Sequence, residues 1–525
     1  MDQIVKQALR AVLPATVMTG GRARIWAALV LAFGLSTAVP AADTSTGSVL
    51  ALGSSSPTTN SASAPPRLRV SVDPRVELMS LLFRLAGNNE YNQGKVAAYT
   101  ADVEKQFNSF RDHRTVQLAR KLRTSRGIGY DAPMSLAVQM TDARQPEFIE
   151  PLSPWPLGLA VRWKRKDATN FLAAARQFVQ DSGFNAFVEQ HQALYNTTAG
   201  RMQALMDQQA HLEWFEPFFG EPPQAGFTVV LGLLNGGCGY GPSSRDGAGH
   251  EERFCILGVW DTDKQGLPVF KKELVPYVVH EFCHSYANPI IFRHRSELAS
   301  AGKKLFRAVA DQMRAQAYGE PTTMFCESLV RASVIRYLRQ YRGPQEAERE
   351  IREQQVEGFL WMQELSDLLG QYEAERDHYP TLESFAPRLV EFFNAYAKTN
   401  GCAKEQQALE RRRPQVVSVL PANGAKEVDP GLKTIQVVFD RPMNGHSNFG
   451  PREPRLPKAT GRPRWEAHDT TWALPVTLKP DCEYRFYLNP PGENQAFRSE
   501  EGVPLKPVLV KFKTRAEASP STGNE

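Results

Sequence analysis

The stretch VVHEFCHSYANP, Val278 to Pro289, contains two histidines four residues apart, with a glutamate directly after the first. On a helix, residues i and i+4 lie on one face, so His280 and His284 would project side by side. Glu281 could then reach a water molecule on a metal ion held by the histidine pair. The pattern His-Glu-x-x-His therefore predicts the helix of a zinc hydrolase. An amphipathic helix carrying two histidines by chance is the alternative.

A zinc site of this kind needs a third protein ligand. The histidine that metzincins carry six residues after the second one is missing, because position 290 is isoleucine. His294 lies ten residues after His284 and is expected on the surface. Glu327 lies in the apolar segment TTMFCESLVRASVIRYL, where an unpaired carboxylate would be costly, so it is the predicted third ligand. A salt bridge from Glu327 to Arg331, one helical turn later, is the alternative.

Two apolar, β-branched segments precede the motif and predict strands, GFTVVLGLL at 226–234 and RFCILGVW at 253–260. The glycine-rich loop between them is not followed by Gly-Lys-Ser/Thr, which argues against a phosphate-binding loop. We expect the strand at 226–234 to bind an extended peptide by edge pairing. Helical periodicity follows from about residue 273 to 397 and places the two histidines and Glu327 on different helices.

The first residues have the features of an export signal. Arg22 and Arg24 precede the apolar run IWAALVLAFGL, which is followed by the small residues STAVPAA. This order predicts a signal peptide over 1–42 and a periplasmic or extracellular protein. The run is shorter than the roughly 20 residues that span a bilayer, and no later segment is apolar enough, so no membrane span is expected in the mature form. Residues 43–66 are rich in Ser, Thr, Ala and Pro and predict a disordered linker.

The composition is that of a soluble protein of several domains, with 525 residues, 42% hydrophobic and 23% charged. The formal net charge is +5, of which the first 24 residues supply +3. The rest of the chain is therefore nearly neutral, which argues against nucleic acid or an acidic membrane surface as a partner. The sequence does not indicate an oligomeric state.

A change in composition marks the C-terminal part. From about 414 to 515, short strands alternate with Asn-Gly and Asp-Pro-Gly turns at the spacing of a β-sandwich. The segment VVSVLPANGAKEV followed by IQVVFDRPM resembles the bacterial Ig-like domains of secreted and cell-envelope proteins. The resemblance implies an all-β Ig-like sandwich over 413–515, serving as a spacer or attachment module, with a flexible tail at 516–525.

The combination of VVHEFCHSYANP with CESLVRASVIRYL resembles an uncharacterised bacterial family of exported, zincin-like proteins, a domain of unknown function. The resemblance runs from about Arg67 to Lys398. It implies an α+β zincin-like metallopeptidase domain at 67–412, mostly helical with a small sheet. It also implies a gluzincin-type site with His280, His284 and Glu327 as ligands. Thermolysin-like enzymes have Asn-Glu-x-x-x-Asp on the helix of the third ligand, whereas this chain has Cys326 and Arg331 around Glu327.

The predicted function is that of an exported zinc metallopeptidase acting on a peptide or protein. Zinc would lower the pKa of its water to about 7. Glu281 would take a proton from that water and pass it to the leaving amine. Tyr318 is the first candidate for the donor to the oxyanion, and Tyr240 is the second. The alternatives are a zinc hydrolase of a non-peptide amide in the cell wall, or an envelope binding protein that keeps the fold without turnover.

Six cysteines in an exported protein are compatible with disulfides. Cys283 directly precedes His284 and Cys326 directly precedes Glu327, which predicts a disulfide joining the two ligand helices. Two small buried hydrophobic side chains without a bond are the alternative. Bridges from Cys238 to Cys255 and from Cys402 to Cys482 are then the expected remaining pairs.

Overall fold

The structure is a computed structural model that describes residues 68–149, 155–156, 158–220, 225–237, 239–245, 248–316, 318–491 and 495–516. The predicted signal peptide, the predicted linker, Cys238 and all but the first residue of the predicted tail lie outside this part of the chain. The described residues fall into two compact units, 68–337 with 366–394, and 338–365 with 395–516. This division places 338–365 and 395–412 with the C-terminal segment, whereas the predicted domain boundary lies at 412.

The chain contains these helices, in order: α1 (Pro74–Leu85), α2 (Ala97–Phe107), α3 (Arg114–Arg126), α4 (Asp131–Ala137), α5 (Arg165–Ser182), α6 (Phe184–Gln190), α7 (Gln192–Gln209), α8 (Phe215–Phe219), α9 (Val275–Arg293), α10 (Arg295–Ala308), α11 (Ala310–Ala315), α12 (Pro321–Arg342), α13 (Pro344–Val356), α14 (Met362–Ala374), α15 (Ala386–Lys398) and α16 (Gly401–Arg412).

Its strands are β1 (Arg69–Ser71), β2 (Ala225–Gly232), β3 (Gly239–Tyr240), β4 (Ser243–Arg245), β5 (Glu251–Gly258), β6 (Asp261–Thr262), β7 (Pro268–Val269), β8 (Val416–Leu420), β9 (Thr434–Phe439), β10 (Phe449–Arg455), β11 (Lys458–Ala459), β12 (Arg464–Glu466), β13 (Thr471–Thr477), β14 (Glu483–Leu488) and β15 (Val508–Lys513). The chain is thus a mixed helical and β protein with several small sheets, as predicted in general terms.

The main sheet of the first unit has the order β1-β2-β5-β3, and β4 also pairs with β5. Strands β1, β2 and β5 are parallel, whereas β3 and β4 run antiparallel to β5. Strand β2 pairs on both sides, so the expectation that 226–234 offers an edge to a peptide is wrong. Its run of buried residues is typical of a central strand covered on both faces. The edge of the described sheet nearest β5 is formed by β3 and β4.

Helix α9 carries the His-Glu-x-x-His motif and continues beyond Pro289 to Arg293. Proline removes one backbone donor from the helix. The next residues, Ile290 and Ile291, are 4% and 2% exposed, and burial of these side chains offsets the lost hydrogen bond. None of the helices among the described residues is long and apolar enough to cross a membrane.

The C-terminal part of the second unit consists of two antiparallel sheets. One has the order β11-β13-β9-β8, with β12 pairing β13, and the other has the order β10-β14-β15. Val437 and Trp472 on the first sheet and Phe486 and Val510 on the second belong to one hydrophobic cluster. The predicted strands at TWALPV, EYRFYLN and PVLVKFKT are β13, β14 and β15. Assignment of this segment to an Ig-like fold stays a prediction.

A buried carboxylate connects helices to the main sheet of the first unit. Glu77 on α1 accepts a hydrogen bond from the backbone N–H of Leu233, just after β2, at 2.8 Å. It also accepts one from the Tyr99 hydroxyl of α2 at 2.7 Å, and that hydroxyl lies 2.8 Å from the Tyr195 hydroxyl of α7. Burial raises the pKa of Glu77 to about 7, although both hydrogen bonds act to lower it.

We expect Glu77→Gln to remove a pH dependence of the unfolding free energy. The folded protein retains a proton on Glu77 that the unfolded chain loses above its ordinary pKa of 4.5. This group therefore lowers stability as the pH rises from about 4.5 to 7, by up to about 3 kcal/mol. Glutamine can accept from Leu233 and donate to Tyr99 without ionising.

Denaturant unfolding of the wild type and the variant at pH 5 and pH 8 measures this difference. Glu216→Gln, which changes an exposed carboxylate, is the control and should behave as the wild type. An unchanged pH dependence in Glu77→Gln would contradict the assignment.

Candidate metal centre

Helix α9 is positioned by aromatic contacts with the layer around the sheet. The rings of Phe282 and Phe227 of β2 stack with centroids 4.2 Å apart. Tyr286 stacks on Phe219 of α8 at 4.1 Å. These contacts fix the rotation of the helix about its axis and direct His280 and His284 toward α12, which carries Glu327.

Donor groups of three residues on these two helices converge. The Nε2 atoms of His280 and His284 are 3.2 Å apart. Glu327 places Oε2 3.6 Å from His280 Nε2 and Oε1 3.5 Å from His284 Nε2. A tetrahedral zinc ion with ligands at about 2.0–2.1 Å requires ligand atoms about 3.3 Å apart. Two imidazoles and one carboxylate at this spacing fit a zinc ion, and the buried group could hold a metal ion.

The histidines are prepared as ligands by burial and by a hydrogen bond. His284 Nδ1 lies 3.1 Å from Asn288 Oδ1, and this oxygen accepts the Nδ1 proton so that Nε2 presents a lone pair to the site. Burial lowers the pKa of both imidazoles, well below the usual value for His280, where His284 and Arg331 add to the effect. Neutral imidazole is the form that binds metal. Asn288 was missed in the sequence, although its i+4 spacing from His284 is a usable signal.

The carboxylate of Glu327 is held by a buried arginine. Arg331 Nε donates to Glu327 Oε2 at 3.2 Å, and Arg331 Nη2 donates to the Tyr318 hydroxyl at 3.0 Å. The Tyr318 hydroxyl also interacts with Glu327, and burial raises its pKa well above the usual value. The ion pair between Glu327 and Arg331 is therefore present. It leaves the carboxylate oxygens facing the histidines, so ligation of a metal by Glu327 stays a prediction. Tyr318, the first oxyanion candidate, lies beside this ligand.

Glu281 follows His280 on α9 and lies next to the edge of the sheet. A Cβ atom at Gly241 would come within 2.1 Å of Glu281 Oε2, so a side chain at this position would displace the carboxylate from its present place. Burial, followed by the charge of Glu327, raises the pKa of Glu281 to about 8. The close approach accounts for glycine at position 241, which the sequence did not connect with the site.

Tyr240, the second oxyanion candidate, faces away from α9. A Cβ atom at Gly239 would meet the Tyr277 hydroxyl of α9 at 1.8 Å, just as one at Gly241 would meet Glu281. Successive residues of an extended strand point to opposite faces, so Tyr240 between these glycines points to the other face of the sheet. Tyr240 is therefore not beside the donor cluster.

The predicted disulfides are wrong for the described cysteines. Cys255, Cys283, Cys326, Cys402 and Cys482 all carry thiols, and Cys238 lies outside the described residues. Neighbours on an α-helix point about 100° apart, so a cysteine next to a ligand does not share the face of that ligand. Burial raises the pKa of the Cys283 and Cys326 thiols. The two ligand helices are held by packing and by the polar contacts of Glu327.

We expect His284→Ala and Glu327→Gln to weaken zinc binding by roughly 100-fold or more, because each removes a ligand atom. Equilibrium dialysis of the full chain followed by elemental analysis measures the bound metal. His294→Ala is the matched control: its side chain pairs with Glu297 at 2.9 Å outside the cluster, so zinc should be retained. If Glu327→Gln bound zinc with unchanged affinity, Glu327 would not be a ligand and would serve only in the ion pair with Arg331.

Comparisons with known proteins identify the family to which the chain belongs. No curated protein matches the chain. Two solved structures are similar, each with 12% identity: surface layer protein SbsC, domains 1-6, and the S-layer protein rSbsC(31-844). The first similarity covers 46% of this chain and 33% of that one, with a TM-score of 0.14. The second covers 78% and 47%, with a TM-score of 0.15.

This chain thus spans less than half the length of either S-layer structure, and TM-scores this low carry no argument about its fold. A family model described as "Domain of unknown function (DUF4932)" matches residues 68–392, which include every residue of the donor cluster. The chain belongs to this family.

Proposed function

We propose that this protein is a zinc-dependent peptidase. The observation that carries the proposal is the convergence of His280, His284 and Glu327. Glu281 follows His280 on the same helix, and the charge of Glu327 acts on its carboxylate. A site that served only to hold a structural metal would have no need for a buried carboxylate next to its ligands. Export, predicted from residues 1–42, belongs to the same proposal.

Each residue of the candidate site has a separate role in the proposed reaction. His280, His284 and Glu327 would hold a zinc ion, which acts as a Lewis acid and lowers the pKa of a water molecule. A dication at the cluster would favour the charged form of Glu281, which would accept a proton from the attacking water and deliver it to the leaving amine. Gly241 leaves the space that lets the Glu281 carboxylate reach the reacting atoms.

Arg331 and Tyr318 support the carboxylate side of the site. The Arg331 guanidinium keeps Glu327 in one orientation through its Nε. Tyr318 is proposed as the donor to the oxyanion, because its hydroxyl lies beside a ligand residue and Arg331 orients it. The same groups could hydrolyse a non-peptide amide, so the chemistry of the substrate decides between a peptidase and a cell-wall hydrolase.

Glu281→Gln is expected to retain zinc and to cleave peptides roughly 100- to 10,000-fold more slowly than the wild type, since it removes the base and leaves the ligands in place. Incubating the zinc-loaded full chain with a proteome-derived peptide library and identifying products by mass spectrometry measures this loss. Glu297→Gln, on the exposed side of α10, is the control that should cleave as the wild type does. Bound zinc in wild type without cleavage of any peptide would favour the non-peptide hydrolase or the binding protein.

Tyr318→Phe is expected to lower kcat by roughly 100-fold with little change in KM or zinc affinity. The developing oxyanion would lose its donor, whereas Glu327 would keep its hydrogen bond from Arg331. Steady-state kinetics together with zinc titration separate this role from a structural one. A variant that loses zinc affinity while the metal-saturated enzyme keeps its kcat would show that Tyr318 serves only to hold Glu327.

A further inference from the structure

The edge of the sheet beside Glu281 presents a regular set of backbone groups. Tyr240 pairs with Ile256 and Ser243 pairs with Arg253, so β3 and β4 share one register along β5. The Phe254 N–H donates to the Pro242 carbonyl at 3.0 Å, so even-numbered residues of this edge turn their backbone groups toward β5. The odd-numbered residues then direct their backbone N–H and C=O groups away from β5, out of the sheet edge.

The outward groups at Gly239 and Gly241 lie directly beside the proposed base. Both glycines meet α9, Gly239 at Tyr277 and Gly241 at Glu281. An extended chain that paired with this edge would therefore run past Glu281 and the donor cluster. Pairing there would bring a backbone carbonyl of that chain to the reacting position.

The same edge is closed at Ser243. Gln139, which is 2% exposed, donates from Nε2 to the outward Ser243 carbonyl at 2.8 Å. The backbone at Gly158 lies so close that a Cβ atom there would be 2.1 Å from this carbonyl and 2.6 Å from Ser243 Oγ. Both the hydrogen-bonding edge and the adjacent side-chain face are thus occupied at this position.

The segments that close the edge are anchored rather than loose. Gln139 follows α4, whose residues are all buried, and its carbonyl accepts a hydrogen bond from the Ile149 N–H at 2.8 Å. Behind Gly158, the Ala160 N–H donates to Ser135 Oγ at 3.1 Å and Trp163 Nε1 donates to the Ala132 carbonyl at 2.8 Å. Gln139 and Gly158 therefore form a fixed wall across the end of the edge.

We propose that the site acts on chain ends, releasing one or two residues, and does not cleave internal peptide bonds. Ser243 lies two residues beyond Gly241, which is about 7 Å along a strand. A chain that pairs beside Glu281 has room for one or two residues before it meets the wall, so it must end there. This inference rests on the proposed function and specifies its substrate class.

The test compares a linear peptide of about twenty residues with the same sequence closed head to tail. With the zinc-loaded full chain, early products analysed by mass spectrometry should show loss of one or two residues at a time from one end of the linear peptide. The cyclic peptide should stay intact, and Glu281→Gln, as control, should cleave neither. Internal fragments at the earliest times, or opening of the ring, would overturn the proposal.

A binding measurement tests the recognition of chain ends independently of hydrolysis. Fluorescence anisotropy with zinc-loaded Glu281→Gln should show the labelled linear peptide binding at least tenfold more tightly than the cyclic one. Equal affinities would overturn the chain-end proposal. If the wild type cleaves neither peptide while this binding preference is found, the hydrolytic function fails and recognition of chain ends stands.

Discussion

The arrangement of the first unit depends on one constraint, the burial of the Glu327 carboxylate between two imidazoles and a guanidinium. A buried carboxylate is tolerated only when its charge and its hydrogen-bonding capacity are compensated. Arg331 supplies a charge and a donor on one side at 3.2 Å, and the two Nε2 atoms face the other side at 3.5 and 3.6 Å. A dication held between the carboxylate and the imidazoles would complete this compensation. The described contacts join α9 to α12 without a disulfide.

Two positions of the sheet edge without side chains shape the site. Gly239 and Gly241 have no side chains, so the edge formed by β3 and β4 approaches α9 closely enough to meet Glu281. Proline at 242 costs the ladder one donor, which is tolerated at an edge strand. The same short edge that leaves room at Gly241 is closed two residues later by Gln139 and Gly158. Access to the proposed base and the proposed limit on substrate length thus arise from positions 241 and 243 of the edge formed by β3 and β4.

Local patterns predicted the parts of the site that depend on local geometry. The i, i+4 spacing of His280 and His284 and the apolar surroundings of Glu327 are visible in the sequence, and the structure brings all three together. Features that depend on tertiary packing were not predictable. The continuation of α9 past Pro289 depends on burial of Ile290 and Ile291, and the interior position of β2 depends on which strands pair with it. The prediction of a Cys283–Cys326 disulfide is wrong because each cysteine, although next to a predicted ligand in sequence, points about 100° away from it on the helix.

The central claim, a zinc ion held by two imidazoles and one carboxylate, is tested most directly by X-ray absorption at the zinc edge of the zinc-loaded full chain. The account predicts a shell of nitrogen and oxygen ligands at about 2.0–2.1 Å, with the outer-shell scattering of two imidazoles. Cys255, Cys283 and Cys326 lie buried in the same unit, so sulfur ligation is the competing arrangement. A sulfur shell at about 2.3 Å, or a chain that binds no zinc, would contradict the account.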